Sequence, residues 1–366
     1  MAETGFNKGE QKILIRARYG LILSTLAVSL LLEPSVFADE PVNRSDKRRV
    51  DANGETVSEL DKAILYIFHA KDNTYWFGSN DRGVYRYDGK TLVNFTTRNG
   101  LISDRIRGIQ EDKSGNIFFT TYEGISKFDG QSFLTLDALA EVDPMGWKLQ
   151  PDDLWFVGPP DAGVVFRYDG IVLHRLQFPR TKLGDEHFEK MPRSKFPNAI
   201  YSPYDVYYIL RDSKGHLWFG STCVGVCRFD GTKFDWFTDN VFLEAPIRSI
   251  LEDKNGNFWF TYSGNRSLDG LRKVNDFGKV QERADGTIVE GMSVIEDDNG
   301  KIWTGAFSAG AIRYDGTQKI QYPLRKDNTT ITVFAIYKDN RGALWLGTHN
   351  GGAYRFNGNS FEEFKK

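Results

Sequence analysis

Leu217-Trp218-Phe219-Gly220-Ser221 decides the fold, because the pattern of this stretch recurs along most of the chain. An apolar run with a Trp is followed by a short polar turn, an alternating run that ends in Asp230-Gly231, and an aromatic run. The pattern occurs seven times, and its anchor residues are Trp76, Phe118, Trp155, Trp218, Trp259, Trp303 and Trp345. A spacing of about 40 residues is typical of the four-stranded blades of a propeller.

Turn signals separate the strands of each repeat. An Asp-Gly or Asn-Gly pair, such as Asp230-Gly231 or Asn357-Gly358, follows the alternating run in six units and is a strong hairpin signal. Acidic turns such as Glu252-Asp253 precede the anchor runs, where a carboxylate can cap backbone amides. We therefore predict an all-β fold, a seven-bladed β-propeller of four-stranded antiparallel blades, with blades near 63–97, 104–138, 145–178, 204–239, 246–283, 290–324 and 332–364.

Composition limits the possible partners. The chain has 366 residues and a formal net charge of −2, with basic and acidic residues interspersed. This balance provides no basic patch for a nucleic acid and no basic stripe for a membrane surface. Two cysteines cannot form a disulfide framework, so packed strands must stabilise one large domain over residues 63–366.

The first 38 residues have the pattern of a secretory signal peptide. Basic residues from Lys8 to Arg18 precede an apolar run over 19–32, and small residues lead to a cleavage site after Ala38. The alternative is an uncleaved anchor, although the run is shorter than the ~20 residues that span a bilayer. We expect a periplasmic or secreted protein with no stable membrane span after cleavage, in which residues 39–62 form a polar lead-in.

A basic residue recurs on the third strand of each unit. A ring of such residues could form an anion site, but a residue repeated in each blade more often packs its stem along aromatic neighbours. The residues are Arg86, Lys127, Arg167, Arg228, Lys273, Arg313 and Arg355. The acidic turns lack the full spacing of a calcium loop, so no metal is predicted there.

The units resemble the two-component regulator propeller repeats. The resemblance is carried by Leu-Trp-Phe-Gly, by Arg-Phe-Asp-Gly and by the linker from Asn99 to Asp104, and it covers about residues 63–364. It implies an extracytoplasmic sensor-like propeller, because members often form the ligand-sensing part of hybrid histidine kinases, where they detect glycan fragments. No kinase output domain is expected after residue 364. We expect the ring to close by packing of the first and last blades, with closure by a strand from residues 50–58 as the second possibility.

Function is sought where the repeat is broken, because residues that follow the repeat are explained by folding. The largest break, Pro179–Pro203, contains Lys182, Asp185, His187, Phe188 and Tyr201, and is expected on the face that carries the mouth of the central channel. Polar and aromatic residues near the start of the innermost strands, and in the turns above them, suit a carbohydrate-like ligand or a protein partner. The predicted ligand-binding residues are Arg105, Arg107, Trp147, Asp205, Tyr207, Arg248, Arg266, Glu290 and His349. Trp147 either stacks on a ligand or covers an irregular strand.

Motifs of catalysis are missing from the sequence, including the nucleophile elbow, the zinc-binding His-Glu-x-x-His and the phosphate loop. We assign no catalytic residue and no cofactor, and the favoured function is a ligand-binding or sensor-like recognition module. The alternative is a funnel enzyme such as a polysaccharide lyase or glycoside hydrolase, with His349 or Glu290 as its base. Cys223 and Cys227 flank a tight turn and are either a short-loop disulfide or two unpaired residues.

Overall fold

A computed structural model describes residues 49–140, 146–160, 163–190, 202–237, 246–262, 270–274, 280–283, 291–306, 309–314 and 318–366. The predicted signal peptide and residues 39–48 of the lead-in lie outside these residues. Units are numbered here by their anchor residues in chain order, from Trp76 in the first to Trp345 in the seventh.

The first two units follow two short strands, β1 (Arg49–Asp51) and β2 (Glu55–Val57). The first unit contains β3 (Ile64–His69), β4 (Tyr75–Ser79), β5 (Val84–Tyr87) and β6 (Leu92–Phe95), with a 3-10 turn at Thr97–Asn99. The second unit contains β7 (Ile106–Glu111), β8 (Ile117–Thr121), β9 (Ile125–Phe128) and β10 (Ser132–Leu136).

The third and fourth units are joined by a helix. The third contains β11 (Ala138–Ala140), β12 (Leu154–Val157), β13 (Val164–Tyr168) and β14 (Leu173–Gln177), and α1 (Lys182–Lys190) follows. The fourth contains β15 (Val206–Arg211), β16 (Leu217–Ser221), β17 (Val226–Phe229) and β18 (Phe234–Phe237).

The last three units complete the described chain. The fifth contains β19 (Ile247–Glu252), β20 (Phe258–Tyr262), β21 (Gly270–Val274) and β22 (Val280–Arg283). The sixth contains β23 (Gly291–Glu296), β24 (Ile302–Ala306), β25 (Gly310–Tyr314) and β26 (Lys319–Tyr322), and a hairpin of β27 (Arg325–Lys326) and β28 (Thr329–Thr330) follows. The seventh contains β29 (Val333–Lys338), β30 (Leu344–Thr348), β31 (Ala353–Phe356) and β32 (Phe361–Glu363).

The strands form an all-β, propeller-like arrangement of antiparallel sheets. In the fourth, fifth and sixth units the strands pair in chain order, and the anchor residue lies on the second strand. The first and second units have the same order and gain β2 and β1, respectively, at their outer edges. The prediction of an all-β propeller is confirmed, and the count of seven blades stays a prediction.

The third unit departs from the predicted four-stranded antiparallel blade. Its sheet has the order β11, β14, β13 and β12, and β11 runs parallel to β14 at the outer edge. No described strand pairs with the inner edge of β12. Residues before β12 turn outward instead, and the Leu149 side chain lies 3.4 Å from the position of a Cβ atom at Gly231, in the hairpin turn of the fourth unit.

The first and seventh units pack face to face. The Tyr75 hydroxyl donates to Asp339 Oδ2 at 2.7 Å, and Gly352 N donates to the Lys62 carbonyl at 2.7 Å. A shared buried cluster contains Phe77 and Trp345, whose ring centroids are 6.0 Å apart. Residues 50–58 lie elsewhere, since β1 and β2 pair with β10 and β6. These contacts agree with closure by packing.

Buried indole groups are tied to the acidic turns. In four units the Trp Nε1 donates at 2.8–2.9 Å to an Asp Oδ2 six residues earlier in the chain. The other oxygen of the same carboxylate accepts backbone amides of the turn, as Asp253 Oδ1 does from Asn255 and Asn257. One side chain therefore fixes both the turn and the anchor ring. The pairs are Asp212 with Trp218, Asp253 with Trp259, Asp297 with Trp303, and Asp339 with Trp345.

The Glu before the Asp joins neighbouring units. Glu252 Oε2 accepts the backbone amide of Ser213 at 2.6 Å, and Glu296 Oε2 accepts that of Lys254 at 2.8 Å. Glu111 binds Lys71 in the same way at 3.0 Å. The Glu-Asp pair thus uses its first carboxylate between units and its second within a unit.

The recurring basic residue packs against its own anchor ring. The guanidinium carbon lies 5.4–5.9 Å from the ring centroid for Arg86, Arg228, Arg313 and Arg355. Arg167 instead forms a buried ion pair with Asp153. The interpretation of these residues as part of the blade is confirmed for them, and the Lys273 side chain lies outside the described part.

We predict that Asp253→Ala lowers the free energy of unfolding by about 3 kcal/mol, because it leaves a buried indole N–H and turn amides without an acceptor. Urea denaturation measures the loss. Asp51→Ala, an exposed position on β1, should change the stability by less than about 0.5 kcal/mol. Equal stabilities for the two variants would contradict the assigned role of the carboxylate.

Acid should unfold the protein partly through these carboxylates. Burial would raise the pKa of Asp253, but hydrogen bonds from Trp259 and the turn amides outweigh it and hold the pKa below its ordinary value of 3.8. A lowered folded-state pKa contributes stability above 3.8 that is lost as the pH falls through the folded pKa. We expect wild type to lose more stability than Asp253→Ala between about pH 6 and about pH 3. Parallel losses in urea titrations at the two pH values would contradict this.

Candidate functional site

In six units a β-bulge interrupts the first strand, which is the innermost strand of the blade, near its start. The pairing register shifts by one residue there, as between Ile106 and Gly108 in β7 and between Ile247 and Ser249 in β19. Bulges re-aim a side chain and are common next to binding sites. The residues at the shifts are Leu65, Arg107, Tyr207, Arg248, Met292 and Phe334. Three predicted ligand-binding residues, Arg107, Tyr207 and Arg248, are therefore bulge residues.

Guanidinium groups stack on tyrosine rings at this level. The Arg105 guanidinium carbon lies 3.8 Å from the Tyr122 ring centroid, and that of Arg107 lies 5.1 Å from it. Arg248 stacks in the same way on Tyr207 at 4.3 Å. A stacked guanidinium keeps its N–H donors in the plane around its edge, which suits a carboxylate or sulfate group.

Tyr66 connects these groups to the seventh unit. Burial raises the pKa of Tyr66 to about 12, and the nearby Arg107 and Arg248 only partly oppose that rise. Its ring contacts Phe334 edge to face at 5.9 Å, and Phe334 contacts His349 in the same way at 5.1 Å. Burial lowers the pKa of His349, so its imidazole is neutral at neutral pH. We call this set, together with Arg105, Arg107, Tyr122, Tyr207 and Arg248, the mouth cluster.

A cavity of about 370 Å³ extends below the mouth cluster. Residues of β3, β7, β12, β15 and β29 line it, among them Tyr66, Arg107, Tyr207 and Arg211. At the third unit it is the anchor strand β12 that lines the cavity, through Trp155 and Val157. This central space is lined by aromatic and cationic side chains, as a site for a polar ligand requires.

The described ends of the segment Pro179–Pro203 lie on the same face as the turn that follows β16. Thr222 N, in the turn after β16, donates to the Asp205 carbonyl at 2.9 Å, and Cys223 N donates to the Pro203 carbonyl. The Tyr204 hydroxyl holds α1 through Asp185 Oδ1 at 2.6 Å. This placement agrees with the prediction for Pro179–Pro203. The side chains of His187 and Phe188 and the whole of Tyr201 lie outside the described residues.

Two predicted ligand-binding residues have structural roles instead. Trp147 is only 7 % exposed and packs against Trp155 at 5.6 Å and Phe234 at 4.8 Å, so its interpretation as a ligand-stacking residue is wrong. Asp205 is buried, and its carboxylate accepts the backbone amides of Ser202 and Gly163. Asp205 therefore holds the loops at Gly163 and Ser202 in place and does not face a ligand.

The remaining predictions fall into two groups. Arg105, Arg107, Tyr207, Arg248 and His349 come together in the mouth cluster. Arg266 and Glu290 lie outside the described residues, so their assignment and the funnel-enzyme alternative stay predictions. Sequence reasoning missed Tyr66, Tyr122 and Phe334, although Phe334 occupies the same strand position as Arg248.

The two cysteines are both buried and are not bonded to each other. Burial holds the pKa of the Cys227 thiol well above its usual range, so the thiol stays protonated. Of the two interpretations of this pair, the structure therefore supports reduced cysteines rather than a short-loop disulfide.

The described residues contain no group of three or more His, Cys, Asp or Glu side chains placed to bind a metal ion. No helix in that part of the chain has the length and apolar character to cross a membrane.

Two stretches match the family model described as two component regulator propeller, at residues 200–222 and 327–350. The first covers the start of the fourth unit and the second covers the start of the seventh. The chain thus carries two component regulator propeller repeats, as its sequence pattern predicts. Among curated proteins, none matches the chain.

Similar solved structures are propellers. The extracellular domain of a putative hybrid two component system from B. thetaiotaomicron has a TM-score of 0.58 and 19% identity, covering 83% of this chain and 40% of that chain. An inactive virginiamycin B lyase from Staphylococcus aureus with quinupristin has a TM-score of 0.59 and 12% identity, covering 82% and 97%. PorZ of Porphyromonas gingivalis, a surface component of the type IX secretion system, has a TM-score of 0.55 and 15% identity, covering 81% and 46%. These likenesses show the fold, and the chain spans less than half of the first structure.

Trp147→Ala should lower the free energy of unfolding by about 3–5 kcal/mol, because it empties a site in the aromatic core between the third and fourth units. Guanidinium denaturation measures the change. Tyr207→Ala, at a half-buried bulge position, should cost less than half as much. A loss below about 1 kcal/mol for Trp147→Ala would contradict its assignment to the core.

Proposed function

We propose that this protein is an exported recognition propeller that binds an anionic, carbohydrate-like ligand at the mouth cluster. One observation carries the proposal: Arg105, Arg107 and Arg248 converge with stacked tyrosines at the mouth of a cavity. The charge of the whole chain is close to balanced, so this concentration of cationic groups is local.

The chemistry of the cluster favours a planar anion with apolar faces. Arginine binds carboxylates and sulfates through paired hydrogen bonds, and stacking on Tyr122 and Tyr207 limits the entropy lost on binding. Tyr66 is protonated at neutral pH and offers a hydroxyl that can donate to a ligand oxygen. A uronate residue of an oligosaccharide provides a carboxylate, hydroxyls and a ring face in one group.

Export and a sensing role have separate support. The signal-like first 38 residues favour a periplasmic or secreted location. The two component regulator propeller repeats, and the likeness to an extracellular domain of a hybrid two component system, favour a sensor-like module. A protein partner that reads the bound state would then complete the signalling function.

Oligosaccharides of uronate should raise the Tm of the protein in a thermal-shift assay, and neutral oligosaccharides of equal length should not. Arg248→Gln should weaken the uronate affinity about tenfold, since it removes a charge-assisted hydrogen bond. The affinity should also fall as the salt concentration rises.

Arg325→Gln is the matched control, because Arg325 is exposed on β27 and is not a residue of the mouth cluster. It should bind as wild type does. The proposal fails if uronate and neutral oligosaccharides stabilise the protein equally, or if the two Arg→Gln variants bind alike.

A further inference from the structure

The inner edge of β12 has no strand partner among the described residues. In the other units an innermost strand pairs antiparallel with the anchor strand, as β7 does with β8 and β15 does with β16. Residues 146–153, the described chain before β12, do not fill that place, because Trp147 is packed in the core and Leu149 lies against the fourth unit. The anchor strand of the third unit therefore borders the central cavity directly.

Side chains of neighbouring strands cover this open edge. Gln110 Nε2 donates to the Trp155 carbonyl at 2.7 Å, and Arg107 Nη1 donates to the Gly158 carbonyl. Arg211 Nη2 donates to the Asp153 carbonyl at 3.4 Å, which is a long hydrogen bond. The carbonyls of Trp155 and Asp153 lie along the edge that an innermost strand would occupy, so flexible side chains replace the amides of that strand.

We propose that this edge binds the C-terminal tail of a partner protein, about four residues in extended form, as the missing innermost strand of the third unit. The tail runs antiparallel to β12, as the innermost strands of the other units run to theirs. The four residues of β12 set the length of the pairing. Peptide amides take the carbonyls of Trp155 and Asp153, and the covering side chains are released to the ligand.

The direction of the added strand and the charge of Arg211 determine which end of the peptide lies inside the cavity. A strand antiparallel to β12 starts at Gly158, on the mouth side, and ends beside Asp153 and Arg211. Arg211 is half-buried, and burial lowers its pKa although Asp153 and Asp152 oppose that change. A free C-terminal carboxylate is the group best suited to accept hydrogen bonds from this desolvated guanidinium. The rest of the partner leaves through the mouth.

Gly108 provides a way to fill the cavity without disturbing the sheet. It lines the cavity opposite β12, and a Cβ atom there would meet only Thr120, at 3.5 Å and beyond. Gly108→Ala should leave the space open, whereas Gly108→Leu should occupy it. Both variants should show wild-type unfolding transitions.

The full chain is incubated with a pool of random tetrapeptides that have free C termini, and retained peptides are identified by affinity-selection mass spectrometry. We expect a set of tetrapeptides to be retained by wild type and by Gly108→Ala. Gly108→Leu and Arg211→Gln should retain them about tenfold less. Arg325→Gln should retain them as wild type does, because Arg325 is exposed on β27 and does not line the cavity.

Two modified pools separate strand pairing from other binding. C-terminal amidation should reduce retention, because it removes the carboxylate that Arg211 binds. N-methylation of alternate backbone amides should abolish retention, because it removes the hydrogen bonds between the peptide and β12. The proposal is overturned if no tetrapeptide is retained above the Gly108→Leu level. It is also overturned if the amidated and N-methylated pools are retained as well as the free one.

Discussion

The hydrogen bond between a buried indole N–H and an Asp six residues earlier organises the repeat. A buried Trp usually needs an acceptor for its N–H, and in four units the acidic turn provides one while holding its own amides. Ala70 and Leu149 stand where that Asp would be in the first and third units, and the indole N–H groups of Trp76 and Trp155 have no hydrogen-bond partner in the structure. The third unit is also the one with the most altered sheet.

Regular packing leaves the bulge residues free to vary. Each of six innermost strands carries one residue that the ladder does not pair, and its identity changes from Leu65 and Met292 to Arg107 and Arg248. Because the bulge is set by the backbone, a change of side chain there alters the mouth cluster at little cost to the sheet. The scaffold and the mouth cluster are therefore encoded at different positions of the same repeat.

Core packing in the third unit also shapes the central cavity. The Trp147 side chain packs among Trp155, Phe229 and Phe234 rather than in the channel. The segment that carries it therefore cannot form an innermost strand. The cavity gains an open strand edge, and Gln110 and Arg211 cover its carbonyls. A change in the aromatic core thus has a direct consequence for the lining of the cavity.

The sequence by itself determined the all-β propeller, the anchor residues, the hairpins at Asp-Gly pairs and the packing of the repeated basic residue, because each depends on local spacing and recurs in unit after unit. It also placed Arg105, Arg107, Tyr207, Arg248 and His349 near one mouth, since strand starts could be counted from the anchors. Only the tertiary structure decided that Trp147 and Asp205 are buried, that Tyr66, Tyr122 and Phe334 join the cluster, and that β12 has an open inner edge. Those features depend on contacts between different units, and a pattern within one unit carries no information about what its neighbour places against it.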